Sequence, residues 1–280
     1  NLFFDTKELI ELDLSSNSIE LIQIEGFYGL ISLNELDLNN NLLESLNKTI
    51  LKGLYNTSIL KLNNNKISFI EDNSFYFLRN LKRLELNNNL IKHISNSSLS
   101  YLNPLEYLNL ENNKIHQLDK SPFNDLVNLK FLFLGFNKIK FFHDTIFENL
   151  RNLIQLNLNQ NQISKTDSKL FKNLNRLKIL NLENNCLFKI AKGLFDFNHQ
   201  LNHLNLAKNL LKNIKSYNFR RLFNLKSLNL SLNYLSDIQI KSFFDLENLQ
   251  ELKLNFNKLS ILKYHFFSSL FDLRILELSN

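Results

Sequence analysis

The side chains suited to acid–base, nucleophilic or metal chemistry are few in this sequence, and they do not converge. Cys186, directly after Asn185, is the one thiol among 280 residues, so no disulfide can form within the chain, and it reads as a tolerated free thiol. Six histidines are scattered. The nearest pair, His199 and His203, falls across a corner of the chain and not on one helical turn, which makes surface residues of them and not metal ligands. No phosphate-cradling glycine loop, nucleophile elbow or Cys-His pair is present, so neither a metal nor a cofactor is expected. Nothing supports catalysis, and the chain is read as a non-enzyme.

What remains is binding chemistry, carried by residues that become neighbours through a spacing of 24. Tyr107 and Phe131 are 24 apart, with Phe133 two residues on, Phe136 just beyond and Ile154 one spacing later. On an otherwise polar surface such an aromatic group is expected to anchor a protein or glycan ligand. Glu11, Asp13, Glu35 and Asp37 form a second, acidic cluster by the same spacing, suited to a basic partner or a divalent cation, or to simple solvation. Four Asn-x-Ser/Thr acceptors, Asn47, Asn56, Asn96 and Asn229, are no more than 47 asparagines yield by chance.

The spacing is a property of the whole chain. A unit LxxLxLxxNxI begins at Leu9, Leu33, Leu81, Leu105, Leu129, Leu153, Leu177, Leu201, Leu225 and Leu249, with Thr57 in place of the first Leu in the third unit. This accounts for 63 Leu and 47 Asn in one chain. In LxL, residues two apart share a face, so the leucines turn inward and their neighbours outward on a short strand. Position 9 is Asn17, Asn41, Asn65, Asn89, Asn113, Asn137, Asn161, Asn185, Asn209, Asn233 and Asn257. A buried carboxamide must be bonded, so this row is expected to hold turn N–H and C=O groups between adjacent coils. Position 19 is Phe in most units, with Leu51 and Leu99 as exceptions, and Thr166 and Asn198 interrupt the apolar positions 14 and 22.

These motifs resemble the leucine-rich repeat family along the entire chain, and the 24-residue unit with Phe at position 19 resembles the subclass typical of animal extracellular proteins such as Toll-like receptors, Slit and the small leucine-rich proteoglycans. The resemblance implies an α/β repeat fold: a curved solenoid with a parallel sheet of short strands on its concave face and irregular or short helical convex arcs. It also implies the extracellular or cell-surface ectodomain of a receptor that binds ligand on that sheet. The alternatives are a cell-adhesion or matrix protein without signalling, and an intracellular scaffold or inhibitor.

Residues 1–280 are read as one solenoid fragment: 1–8 end a cut repeat, 9–272 hold eleven units and 273–280 begin a twelfth. With no Met and both ends in mid-repeat, a longer protein is expected, attached to a membrane only through flanking segments. No apolar run approaches a membrane span. The charge of +6 is thinly spread, so no nucleic acid partner is expected and heparin-like ligands have no particular support.

Overall fold

The computed structural model describes residues 2–263 and 266–279. The chain forms two compact units, one ending at Lys138 and the other beginning at Ile139. In the first, strands Glu11–Asp13, Glu35–Asp37, Ile59–Lys61, Arg83–Glu85, Tyr107–Asn109 and Phe131–Phe133 pair in parallel, each residue opposite the one 24 further on. In the second, Gln155–Asn157, Ile179–Asn181, His203–Asn205, Ser227–Asn229, Glu251–Lys253 and Ile275–Glu277 do the same. Alternation explains the faces: Leu36, Leu60, Leu84, Leu108 and Leu132 are fully buried, while the residues on either side of each are half-exposed.

No helix occurs among the described residues. Of the two forms expected for the arcs, the structure has the irregular one. Inward residues at positions 14 and 19 are five apart, which does not fit the 3.6-residue helical period. The arcs are instead successive turns, closed by bonds such as Leu78 N–H to Phe75 O (3.0 Å) and Leu126 N–H to Phe123 O (3.1 Å). Two-residue strands pair within them: Ser45–Leu46 with Phe69–Ile70, His93–Ile94 with Gln117–Leu118, and Asn213–Ile214 with Asp237–Ile238.

In the second unit the position-19 rings of Phe147, Phe171, Phe195, Phe219, Phe243 and Phe267 stack at 6.2–6.3 Å. Paired strands lie about 4.8 Å apart. The sheet therefore occupies the shorter side of that unit, because a phenylalanine row needs more length per coil than a strand ladder does.

The position-9 row is built as expected. Asn137 Nδ2 donates to Leu110 O of the preceding coil (3.0 Å) and to Leu134 O and Gly135 O of its own, while its Oδ1 accepts Ile115 N–H (2.9 Å). Asn41, Asn65, Asn89 and Asn113 repeat this set and are buried. In the second unit Asn185, Asn209, Asn233 and Asn257 are held alike, and Asn161 receives Ile139 N–H. Asn17 differs: it is exposed and bonds within its own coil, to Leu14 O and Ser15 O.

Two of the irregular residues, Thr57 and Asn198, are held by hydrogen bonds. Thr57 Oγ1 donates to Leu33 O (3.1 Å), and the fully buried Asn198 donates from Nδ2 to Phe171 O and Leu174 O (both 3.0 Å). Asn198 Oδ1 and Thr166 Oγ1 find no partner among the described residues. Leu51 and Leu99 fill the Phe position without exposure.

Candidate ligand-binding face

The strand ladder of the first unit sets Phe131 opposite Tyr107 and Phe133 opposite Asn109. Both position 3 and position 5 face out of the sheet, so the three rings meet above it. The Tyr107 ring lies 6.3 Å from that of Phe131 and 5.3 Å from that of Phe133, both tilted by about 45°. Each is half-buried, not fully exposed, because the rings cover one another. Such tilted pairs add about 0.5–1.5 kcal/mol beyond the area they bury.

A fourth member was not singled out from sequence. Arg83, opposite Tyr107 on the preceding strand, holds its guanidinium 3.8 Å from the Tyr107 ring centre and is itself fixed by Glu85 (2.7 Å). Its signal was present in the sequence, since Arg83 stands 24 residues before Tyr107 in the same column. Burial raises the Tyr107 hydroxyl pKa above the usual phenol range, with Arg83 pulling the other way, so the hydroxyl is protonated at neutral pH.

Phe136 lies outside the ring cluster, at position 8, where the backbone turns left-handed in every coil of the unit: Ser16, Asn40, Asn64, Asn88, Asn112 and Phe136 all have φ between 51° and 57°. Asparagine tolerates this region, whereas a bulky residue there is strained. The Phe136 side chain is nonetheless 45% exposed, so the strain is not repaid by burial. Leu232 and Phe256 combine the same left-handed backbone with exposed side chains, so the conformation belongs to the repeat position. Ile154 belongs to the second unit, where it is half-buried and its carbonyl receives the N–H groups of Lys178 and Ile179.

The acidic cluster has a different character from the one expected of a free cation site. Asp13 Oδ1 accepts Ser15 N–H (2.8 Å) and Asp37 Oδ1 accepts Asn39 N–H (3.0 Å), each closing the turn after its strand. Those bonds from Ser15 hold the Asp13 carboxyl below its usual pKa. Lys61, on the next strand, reaches Glu35 at 2.5 Å and Asp37 at 3.2 Å, and its own pKa rises through the bond to Glu35. Much of the cluster is thus committed to turn closure and to one lysine. Among the described residues no group of three His, Cys, Asp or Glu is placed to hold a metal ion.

The glycosylation acceptors separate by their nitrogen. Asn56 Nδ2 is engaged with Ile31 O (2.6 Å). Asn47 and Asn96 use their oxygens, toward Thr49 and Ile50 and toward Ser121 respectively. Asn229 lies on the second unit's sheet, its Oδ1 taking both Ser231 N–H and Ser231 Oγ–H.

With this geometry in hand, comparison places the chain in a family. A leucine rich repeat family model matches residues 7–67, 31–90, 55–115, 104–163, 128–187, 155–211, 175–235 and 223–280, and the chain belongs to the leucine-rich repeat family. Among solved structures it is similar to TLR13 in a complex with the single-stranded RNA ssRNA13, at 30% identity over 91% of this chain and a TM-score of 0.81, although it spans only 37% of that protein. It is similar to FLRT2, solved in an octameric complex with Latrophilin 3 and Unc5D, at 25% identity over 92% of this chain and 77% of that one, TM-score 0.72. A leucine-rich repeat protein of Leptospira interrogans matches at 28% identity over 98% of this chain and 73% of its own, TM-score 0.79. Drosophila Toll, in a complex with Spatzle, matches at 24% identity over the whole chain and 39% of its own length with a TM-score of 0.87, which speaks to the fold alone. Curated protein sequences give no match.

Proposed function

We propose that the chain is the ligand-binding part of an extracellular receptor or cell-surface protein, and that it captures a protein ligand on the first unit's sheet through Tyr107, Phe131 and Phe133, with Phe136 at the rim. The observation that carries this reading is the aromatic trio, braced by Arg83 and standing on a sheet whose other outward positions in that unit are mostly charged or polar. A cluster of aromatic side chains and an arginine on an otherwise polar surface has the composition of an interface hot spot. The receptor setting draws support from the similarity to TLR13 and FLRT2, and FLRT2's presence in a complex with Latrophilin 3 and Unc5D favours a protein ligand. No helix among the described residues is long and apolar enough to cross a membrane.

TLR13's complex with single-stranded RNA stands against the sequence-based expectation that nucleic acid is not a partner, and it supplies the second reading. The test separates the two. Phe131→Ser with Phe133→Ser should lower capture of a co-purifying protein by at least about a hundredfold, the effect of about 3 kcal/mol lost from a hot spot, with an unchanged far-UV circular dichroism spectrum. Undiminished capture would remove these rings from the site. Saturable binding of a short single-stranded RNA that the double variant loses would replace the protein ligand by RNA.

A further inference from the structure

The first unit also carries a cleft on its returning arc, away from the sheet, with a volume of about 340 Å³. Lys48, Thr49, Lys52, Asn73, Tyr76, Phe77 and Tyr101 line it. The rings meet almost at right angles: Tyr76 with Phe77 (5.1 Å, 88°), Tyr76 with Tyr101 (5.0 Å, 79°), and Tyr55 with Phe77 (5.7 Å, 89°). Arg79 locks two of them, its guanidinium 4.6 Å from both the Tyr76 and Tyr101 ring centres and its Nε donating to Tyr76 O (2.9 Å). The walls are therefore fixed in advance, which lowers the ordering cost of a ligand.

The hydrogen-bonding groups around these rings are unspent. Among the described residues the hydroxyls of Tyr55, Tyr76 and Tyr101, the carboxamide of half-buried Asn73 and the ammonium of Lys48 make no hydrogen bond or ion pair. Glu25 is already paired with Lys52 at 2.5 Å and is not set against Lys48. Two wall residues, Asn73 and Tyr101, sit in left-handed backbone, at φ 62° and 71°.

We propose that this cleft binds a saccharide carrying one anionic group, such as a uronate or a sulfated sugar. A pyranose ring offers an apolar C–H face to the tyrosine and phenylalanine rings and equatorial hydroxyls to the free phenols and to Asn73, while its anion meets Lys48. The volume lies at the lower end of the range for small-ligand pockets, about 300–1,000 Å³, which suits one or two sugar rings and not a folded partner. The overall charge of +6 plays no part in this; the local arrangement does.

The test is calorimetric titration of the chain with the unsulfated disaccharide of chondroitin, whose uronate is its one anionic group, and with neutral cellobiose. The acidic disaccharide should bind saturably and at least about tenfold more tightly than cellobiose. Lys48→Glu, a change at an exposed position, should remove that advantage without changing the melting curve, and Tyr76→Ser should weaken both sugars. Three results overturn the proposal: no saturable binding of the acidic disaccharide, equal affinity for cellobiose, or undiminished binding by the Lys48→Glu variant.

Discussion

At position 9 the Asn137 carboxamide satisfies one N–H and three carbonyls, an arrangement no other side chain of that size reproduces, because it needs donor and acceptor on one planar group. Asn137→Leu keeps the volume and strands those groups in the interior. A single buried N–H left unmade costs about 1–3 kcal/mol, and a chain of this size loses about 2–4 °C per kcal/mol, so the melting midpoint should fall by about 3–10 °C. Scanning calorimetry checks this, and an unchanged midpoint would refute the assignment. Asparagine at other positions works by other physics. At position 8 Asn40, Asn64, Asn88, Asn112 and Asn184 tolerate left-handed backbone. At position 5 Asn109, Asn157, Asn181, Asn205 and Asn229 accept the N–H two residues on. At position 24 Asn56, Asn80 and Asn128 in the first unit, and Asn224 and Asn248 in the second, donate to a carbonyl of the preceding coil. The sequence displays all four columns, yet only position 9 announced its role, since the others alternate with residues that lack the amide.

Among the elements, the strands were legible because LxL fixes both period and face, whereas the arcs were legible only as apolar positions whose backbone form stayed open. The short arc strands His93–Ile94 and Gln117–Leu118 gain a side-chain tie that the sequence did not show: His93 Nε2 meets Asp119 Oδ1 at 2.8 Å, and Asp119 also accepts Asn96 N–H. The bond from His93 lowers the Asp119 pKa, with Asn96 N–H acting the same way. An unfolded aspartate titrates near pH 3.9. With the folded value lower still, the stabilisation is complete above the unfolded pKa and is lost as pH falls through the folded one. His93→Ala should therefore lower the melting midpoint at pH 6 by at most about 3 °C, as befits a partly exposed pair, and the difference from wild type should shrink steadily as pH falls below about 3.9. A difference that stays constant as pH falls below that value would show that His93 acts through packing instead.

For the molecule as a whole, the unit of construction is the 24-residue coil, and stability accumulates coil by coil within each compact unit. Deleting residues 201–224 joins position 24 to position 1, so Asn233 meets Leu182 O in place of Leu206 O and the ladders continue. That variant should keep its far-UV spectrum per residue and melt cooperatively, a few degrees lower. Deleting 201–212 puts arc residues where strands belong and should abolish the cooperative transition. Equal behaviour of the two deletions, read by circular dichroism melting, would contradict a fold held by register.

The sequence by itself determined the family, the strand positions, the inward and outward faces and the position-9 ladder, because each follows from a period that a linear chain displays. It also brought Tyr107, Phe131 and Phe133 together, since residues 24 apart on parallel strands must be neighbours. Tertiary structure decided the rest. That the arcs are turns, that Arg83 braces Tyr107, that Lys61 is drawn into the acidic cluster and that Tyr76, Phe77 and Tyr101 wall a cleft all depend on where side chains point from irregular backbone or across strands. No spacing rule specifies those directions, which are settled by the packing of one coil on the next.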